Sequence, residues 1–149
     1  MADTGIKRTW ALVGGAMLLI VLAGGLPFLL VRQTGRIVIQ VSEPAGQDVV
    51  LLVQVDGVRQ TIEATAPVTL ALEAGSMDVY AVPNVAGSGE VSVRSTMYGF
   101  GGSSGSGEAS NAIGVFVQFR GPLLIEGLGM EQTVGPMTQP MYDRLENDW

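Results

Sequence analysis

From Trp10 to Val31 the chain reads WALVGGAMLLIVLAGGLPFLLV, 22 consecutive residues without a charged side chain. As a helix rising about 1.5 Å per residue it is about 33 Å long, enough to cross a hydrocarbon core of about 30 Å. A lone segment in lipid must satisfy its own N–H and C=O groups, and a helix does so. Lys7 and Arg8 close the run on one side and Arg32 and Arg36 on the other, with Trp10 where an aromatic ring favours the interface. The run predicts one transmembrane helix over residues 10–31, behind a tail over 1–9, that tethers everything after it. A cleaved secretory signal is the rival reading, with Val21 and Ala23 at cleavage-site positions. A signal core spans only about 7–15 residues, and cleavage would leave Leu26 to Val31 as an oily new terminus.

The flanking charges tie, so they do not orient the helix by count. A short head carrying Lys7 and Arg8 before a first apolar helix ordinarily stays inside. The expectation is a cytoplasmic N-terminus and a periplasmic domain in a bacterial cell membrane. Within the helix Ala11 and Gly15 form a small-xxx-small pair, and Gly14, Gly15, Ala23 and Gly24 let another helix approach closely. Pro27 removes one hydrogen bond near the exit.

Beyond Val31 lie all the acidic residues except Asp3, against six arginines: Arg32, Arg36, Arg59, Arg94, Arg120 and Arg144. Such a surface repels nucleic acid and anionic headgroups. The chain has no His and no Cys. That removes disulfides, thiolate chemistry, the usual zinc sites, His or Cys ligation of haem and iron–sulfur clusters, and the His-based triad. No cofactor, metal or small-molecule substrate is expected, and no enzyme.

After Gly35 the hydrophobic period changes to two. Ile37, Ile39 and Val41 alternate with Val38, Gln40 and Ser42, and a turn follows at Glu43 to Gly46. Asp56-Gly57 separates two β runs, Val49 to Val55 and Val58 to Ile62, which predicts a hairpin on a type I′ turn. Further strands are expected at Val68 to Leu72, Met77 to Val82, Glu90 to Met97, Ala112 to Phe119 and Leu123 to Glu126. The pattern predicts an all-β fold, a β-sandwich of about seven short strands over residues 35–126. Residues 98–111 (YGFGGSSGSGEASN) read as a Gly/Ser loop, too flexible to pack a core. Residues 127–149 read as an extended tail with one helical turn around Tyr142 to Glu146.

Up to Val82 the order of parts resembles a PEGA-type domain, a small β module of bacterial envelope and surface-anchored proteins. The matching pieces are Gly35-Arg36-Ile37-Val38-Ile39, Pro44, Val53-Gln54-Val55-Asp56-Gly57, Ala66-Pro67-Val68-Thr69-Leu70, and Gly75 followed by Val79-Tyr80-Ala81-Val82. They cover about a third of the chain, and the spacing after Pro44 is long for the family. The resemblance implies a sandwich module outside the membrane with a binding or spacing role. It carries over no catalytic residue.

Gly101-Gly102-Ser103-Ser104-Gly105 spells G-x-S-x-G, the pattern of a nucleophile elbow, but no His exists to take the Ser proton, and Lys7, the sole lysine, precedes the helix. A dinucleotide fingerprint fails at Ser104, where a third Gly is needed. The carboxylates Glu43, Asp48, Asp56, Glu63, Glu73 and Asp78 are scattered over turns and strand ends without a calcium-loop ladder. The tail is different. Met130, Met137, Met141, Tyr142 and Trp149 are adaptable or aromatic contact residues on a segment with two prolines, the composition of a peptide that lies along a partner. The functional expectation is a non-catalytic accessory subunit of a larger membrane complex, docking through its β domain and tail on other subunits. An energy-transducing assembly, respiratory or photosynthetic, is one candidate. The alternative is a free-standing PEGA-like module that binds or spaces envelope material.

Overall fold

The computed structural model describes residues 34–99, 102–121 and 130–149, with side chains outside 99 and 102–104. Nine strands form two antiparallel sheets: β1 (Gly35–Glu43), β2 (Asp48–Val55), β3 (Val58–Thr65), β4 (Val68–Ala74), β5 (Ser76–Pro83), β6 (Val91–Gly99), β7 (Gly102–Asn111), β8 (Val115–Arg120) and β9 (Glu131–Pro136). One helix, α1 (Gln139–Asp148), ends the chain. Sheet A runs β4-β1-β6-β7 and sheet B runs β3-β2-β5-β8-β9. Their inner faces enclose one core.

Period-two burial shows how the sequence makes that core. Ile37, Ile39 and Val41 of β1 meet Val49, Leu51 and Val53 of β2, Val79 and Ala81 of β5, and Val115, Val117 and Phe119 of β8, each no more than 1% exposed. A fully buried Phe or Leu contributes about 1.5–3 kcal/mol relative to exposure, so this interior is the main source of stability. The β2–β3 hairpin turns at Asp56 (φ 46°) and Gly57 (φ 87°), the two positive φ values that a type I′ turn requires. Asp56 also ties the turn to β5, its carboxylate accepting from Ser76 N at 2.7 Å.

Three expectations change. The Gly/Ser stretch is largely the edge strand β7, paired with β6 from Val91↔Asn111 to Gly99↔Gly102. Its inward positions are Gly105, Gly107 and Ala109, and its outward positions Ser106, Glu108 and Ser110. The glycines have a reason: a Cβ on Gly107 would stand 2.7 Å from Val134 Cγ2, and one on Gly105 2.9 Å from Met97 Cε. Neighbouring side chains fill the space that β7 leaves, as expected where strand glycines permit close approach.

The tail is not extended. Glu131–Pro136 is a strand that pairs with β8, and the helix runs ten residues rather than one turn. Against the about seven expected, the described residues hold nine strands. The expected strand at Leu123 to Glu126 lies outside the described residues, as does the expected transmembrane segment over 10–31. Among the described residues no helix is long and apolar enough to cross a membrane.

Candidate functional site

The inner face of sheet B is apolar, and its outer face mixes apolar with polar side chains. A row of paired residues crosses its outer face from β3 to β9: Thr61, Leu52, Tyr80, Phe116 and Gly135. The Phe116 ring lies over Gly135, where a Cβ would stand 2.9 Å from Phe116 Cζ. α1 covers this row. Its half-buried residues, Met141, Tyr142, Leu145 and Trp149, recur at helical spacing on one side.

The far end of the helix is fixed by Trp149. Its ring meets Tyr80 edge-on at 6.3 Å between centroids, lies under the Arg59 guanidinium at 5.2 Å, and donates from Nε1 to Thr61 Oγ1 at 3.2 Å. Arg59 also donates to the Asp148 carbonyl. At the other end Met137 N donates to Gly114 O at 2.9 Å, and the Met137 side chain, 1% exposed, is buried.

The five residues expected to dock a partner are thus placed within the chain itself. Met130 packs against the core, Met137 lies buried, and Met141, Tyr142 and Trp149 sit half-buried along the covering helix. Met137 is not available to a partner. The helix-packing positions Ala11, Gly14, Gly15, Ala23 and Gly24 lie outside the described residues.

Burial raises the Tyr80 phenol above the ordinary tyrosine range, the Asp78 carboxylate pushes the same way, and Arg120 and Arg59 oppose both. The folded state keeps a proton that the unfolded chain releases near pH 10. Stability is therefore unaffected below the unfolded value and falls as pH rises from it through the folded one. Tyr80→Phe keeps the ring against Trp149 and is expected to flatten that alkaline loss. Urea midpoints at pH 8 and about 10.5 check it; an equal drop in both proteins would show that Tyr80 takes no part.

Sheet A presents the contrasting surface. Around the β1 irregularity between Val41 and Glu43 a shallow groove of ≈ 500 Å³ is lined by Gln40, Ser42, Ser92, Arg94, Glu108 and Ser110, with Val93 and Ala109 at its floor. The Ser92 and Ser110 hydroxyls hydrogen-bond each other at 2.8 Å, and Arg94 pairs with Glu108 at the exposed rim. Hydroxyls, an amide and an ion pair can hydrogen-bond a polar ligand. Sequence reading missed the groove because two of its walls, Glu108 and Ser110, fall in the stretch read as a loop.

Sheets A and B are joined beside the groove by a polar contact inside the sandwich. Ser95, 0% exposed, donates to Gln132 Oε1 at 3.1 Å, and Gln132 Nε2 returns a bond to Ser95 O at 3.3 Å. A second polar pair, Arg120 with Asp78 at 3.0 Å, is half-buried on sheet B, where Arg120 also donates to Met77 O. Among the described residues no group of three or more His, Cys, Asp or Glu side chains gathers as a metal site. No protein-family model, curated protein or solved structure matches the chain.

Proposed function

We propose that the protein is a bitopic membrane protein whose extracytoplasmic β-sandwich serves as a non-catalytic, structural subunit of a larger membrane complex. The observation that carries this reading is the attachment: an uncharged run from Trp10 to Val31 is followed, after only Arg32, Gln33 and Thr34, by the first strand of the sandwich. So short a link holds the domain beside whatever else occupies that membrane. The polar contacts Arg120–Asp78, Ser95–Gln132 and Asp56–Ser76 join the domain's own strands. Four edge strands, β4 and β7 of sheet A and β3 and β9 of sheet B, pair on one side only, and such edges offer backbone groups to a neighbour. A respiratory or photosynthetic assembly fits the reading, as does a secretion or envelope machine.

The groove on sheet A favours a second reading, a free-standing PEGA-like module that binds a polar envelope polymer through hydroxyl and amide groups. Mild-detergent extraction followed by native electrophoresis and mass spectrometry separates the two. Migration with a fixed set of other subunits is the expected result, at the intact mass of the uncleaved chain. Migration alone, with binding to isolated envelope polysaccharide lost in Ser92→Ala/Ser110→Ala, would replace it by the second reading.

A further inference from the structure

The sandwich has two ends, and they differ. Around Gly35, where β1 begins, lie Glu73 and Tyr98, both in register with Arg36, the Asp56-Gly57 turn, Gly75-Ser76 and Gly121, joined by Asp56 N to Ser76 O at 2.9 Å and Gly121 N to Gly75 O at 2.8 Å. The opposite end carries Pro44 to Gln47, Ala66, Val85 and Gly114. Three large apolar side chains are exposed among the described residues: Val58 (60%), Tyr98 (38%) and Val85 (65%). Val58 and Tyr98 share the β1 end. There the Arg36 guanidinium sits over the Tyr98 ring at 5.7 Å.

We infer that this end of the sandwich rests on the phospholipid surface of the membrane, with Arg36, Tyr98 and Val58 in the headgroup layer. The inference rests on the reading of Trp10 to Val31 as a membrane span. Four residue steps separate Val31 from Gly35, a reach of at most about 14 Å. The headgroup layer on each side of the hydrocarbon core is about 5–8 Å thick. A folded domain on so short a tether cannot stand clear of the surface, and the end that meets it is the one where β1 starts.

The chemistry of that end suits the place. An aromatic ring with a polar tip, an arginine stacked on it and an exposed valine suit an interface. Of its carboxylates, Asp56 accepts from Ser76 N, Glu73 stands in register with Arg36, and Glu131 in register with Arg120. The acidic remainder of the domain is repelled by anionic headgroups, which turns the Arg36 end downward.

Since the chain has no cysteine, single labels report position cleanly. Val58→Cys, Tyr98→Cys and, at the opposite end, Val85→Cys are made in the full chain and labelled with a fluorophore. Each is reconstituted into phosphatidylcholine–phosphatidylglycerol vesicles containing a lipid spin-labelled at the headgroup. The expected result is quenching several-fold stronger at positions 58 and 98 than at 85. Glu73→Cys, exposed at the same end, replaces either variant that does not fold. Equal quenching at both ends in protein that resists alkaline carbonate would overturn the surface contact and leave the span intact. Release of the protein by carbonate would overturn the span, and the surface contact with it.

Discussion

Gly114→Ala is expected to lower the stability of the domain by about 4 kcal/mol, as the sum of about 1–3 kcal/mol of backbone strain and about 1–3 kcal/mol of overpacking. Gly114 holds φ +146°, where an L side chain is strained, and a Cβ there would stand 2.7 Å from Ala81 O, 2.9 Å from Val82 Cγ1 and 3.0 Å from Met137 Sδ. Relief by moving the backbone is obstructed, because Gly114 O accepts from Met137 N and so seats the segment that leads into α1. Gly46→Ala supplies the comparison, since Gly46 holds φ +74° with nothing within 4 Å of the added carbon. It isolates the backbone component, about 1 kcal/mol. The two variants are compared by urea unfolding of the full chain in mild detergent, with Trp10→Phe so that Trp149 is the only indole. Equal losses would show that the packing around Gly114 yields to a methyl group.

Gly114 also shows why part of the fold was hidden in the sequence. A glycine that ends a loop and one squeezed between Ala81, Val82 and Met137 look alike until the partners are known. The strands with apolar/polar alternation, β1, β5 and β8, were legible, and so was the Asp56-Gly57 turn, because both signals are local. β7 was not. Its inner positions are Gly105, Gly107 and Ala109, so its alternation is small against polar, and the side chains that fill its inner side, Met97, Gln132 and Val134, come from other strands.

The covering helix was half legible. Asp48–Val55 reads DVVLLVQV, apolar without strict alternation, which is the mark of a strand covered on both faces. Val50 and Leu52 are half-buried on the outer face of the sheet, and Met141, Tyr142, Leu145 and Trp149 recur at helical spacing. Trp149 meets Tyr80, Arg59 and Thr61 of its own chain, and a contact surface in sequence does not say whether the other side is in the same chain. The groove on sheet A needed β6 beside β7, a pairing that no local pattern encodes.

That ambiguity about the tail sets up the largest effect expected. A chain ending at Gly121 is expected to lose the folded domain altogether, and one ending at Thr138 to keep it. The first lacks β9, which pairs with β8 from Val115↔Pro136 to Arg120↔Glu131, and with it Gln132, the partner of buried Ser95, and Met137 from the interior. An unsatisfied buried Ser95 costs about 1–3 kcal/mol, and an emptied Met137 site about 2–5 kcal/mol. With the strand pairing, these losses reach the about 5–15 kcal/mol by which a domain is stable at all. The second lacks only α1 and Trp149. It gives up the Tyr80 edge contact, the Arg59 cation–π contact and the Thr61 hydrogen bond, together about 2–3 kcal/mol, and bares the Tyr80 ring. Both sheets survive, with an apolar face that promotes association. Limited proteolysis and circular dichroism of the two truncations distinguish the cases. A protease-resistant β core in the chain ending at Gly121 would mean that β9 is dispensable and that the tail is free to serve a partner; loss of the core in the chain ending at Thr138 would mean that the helix is as much a part of the interior as Phe119.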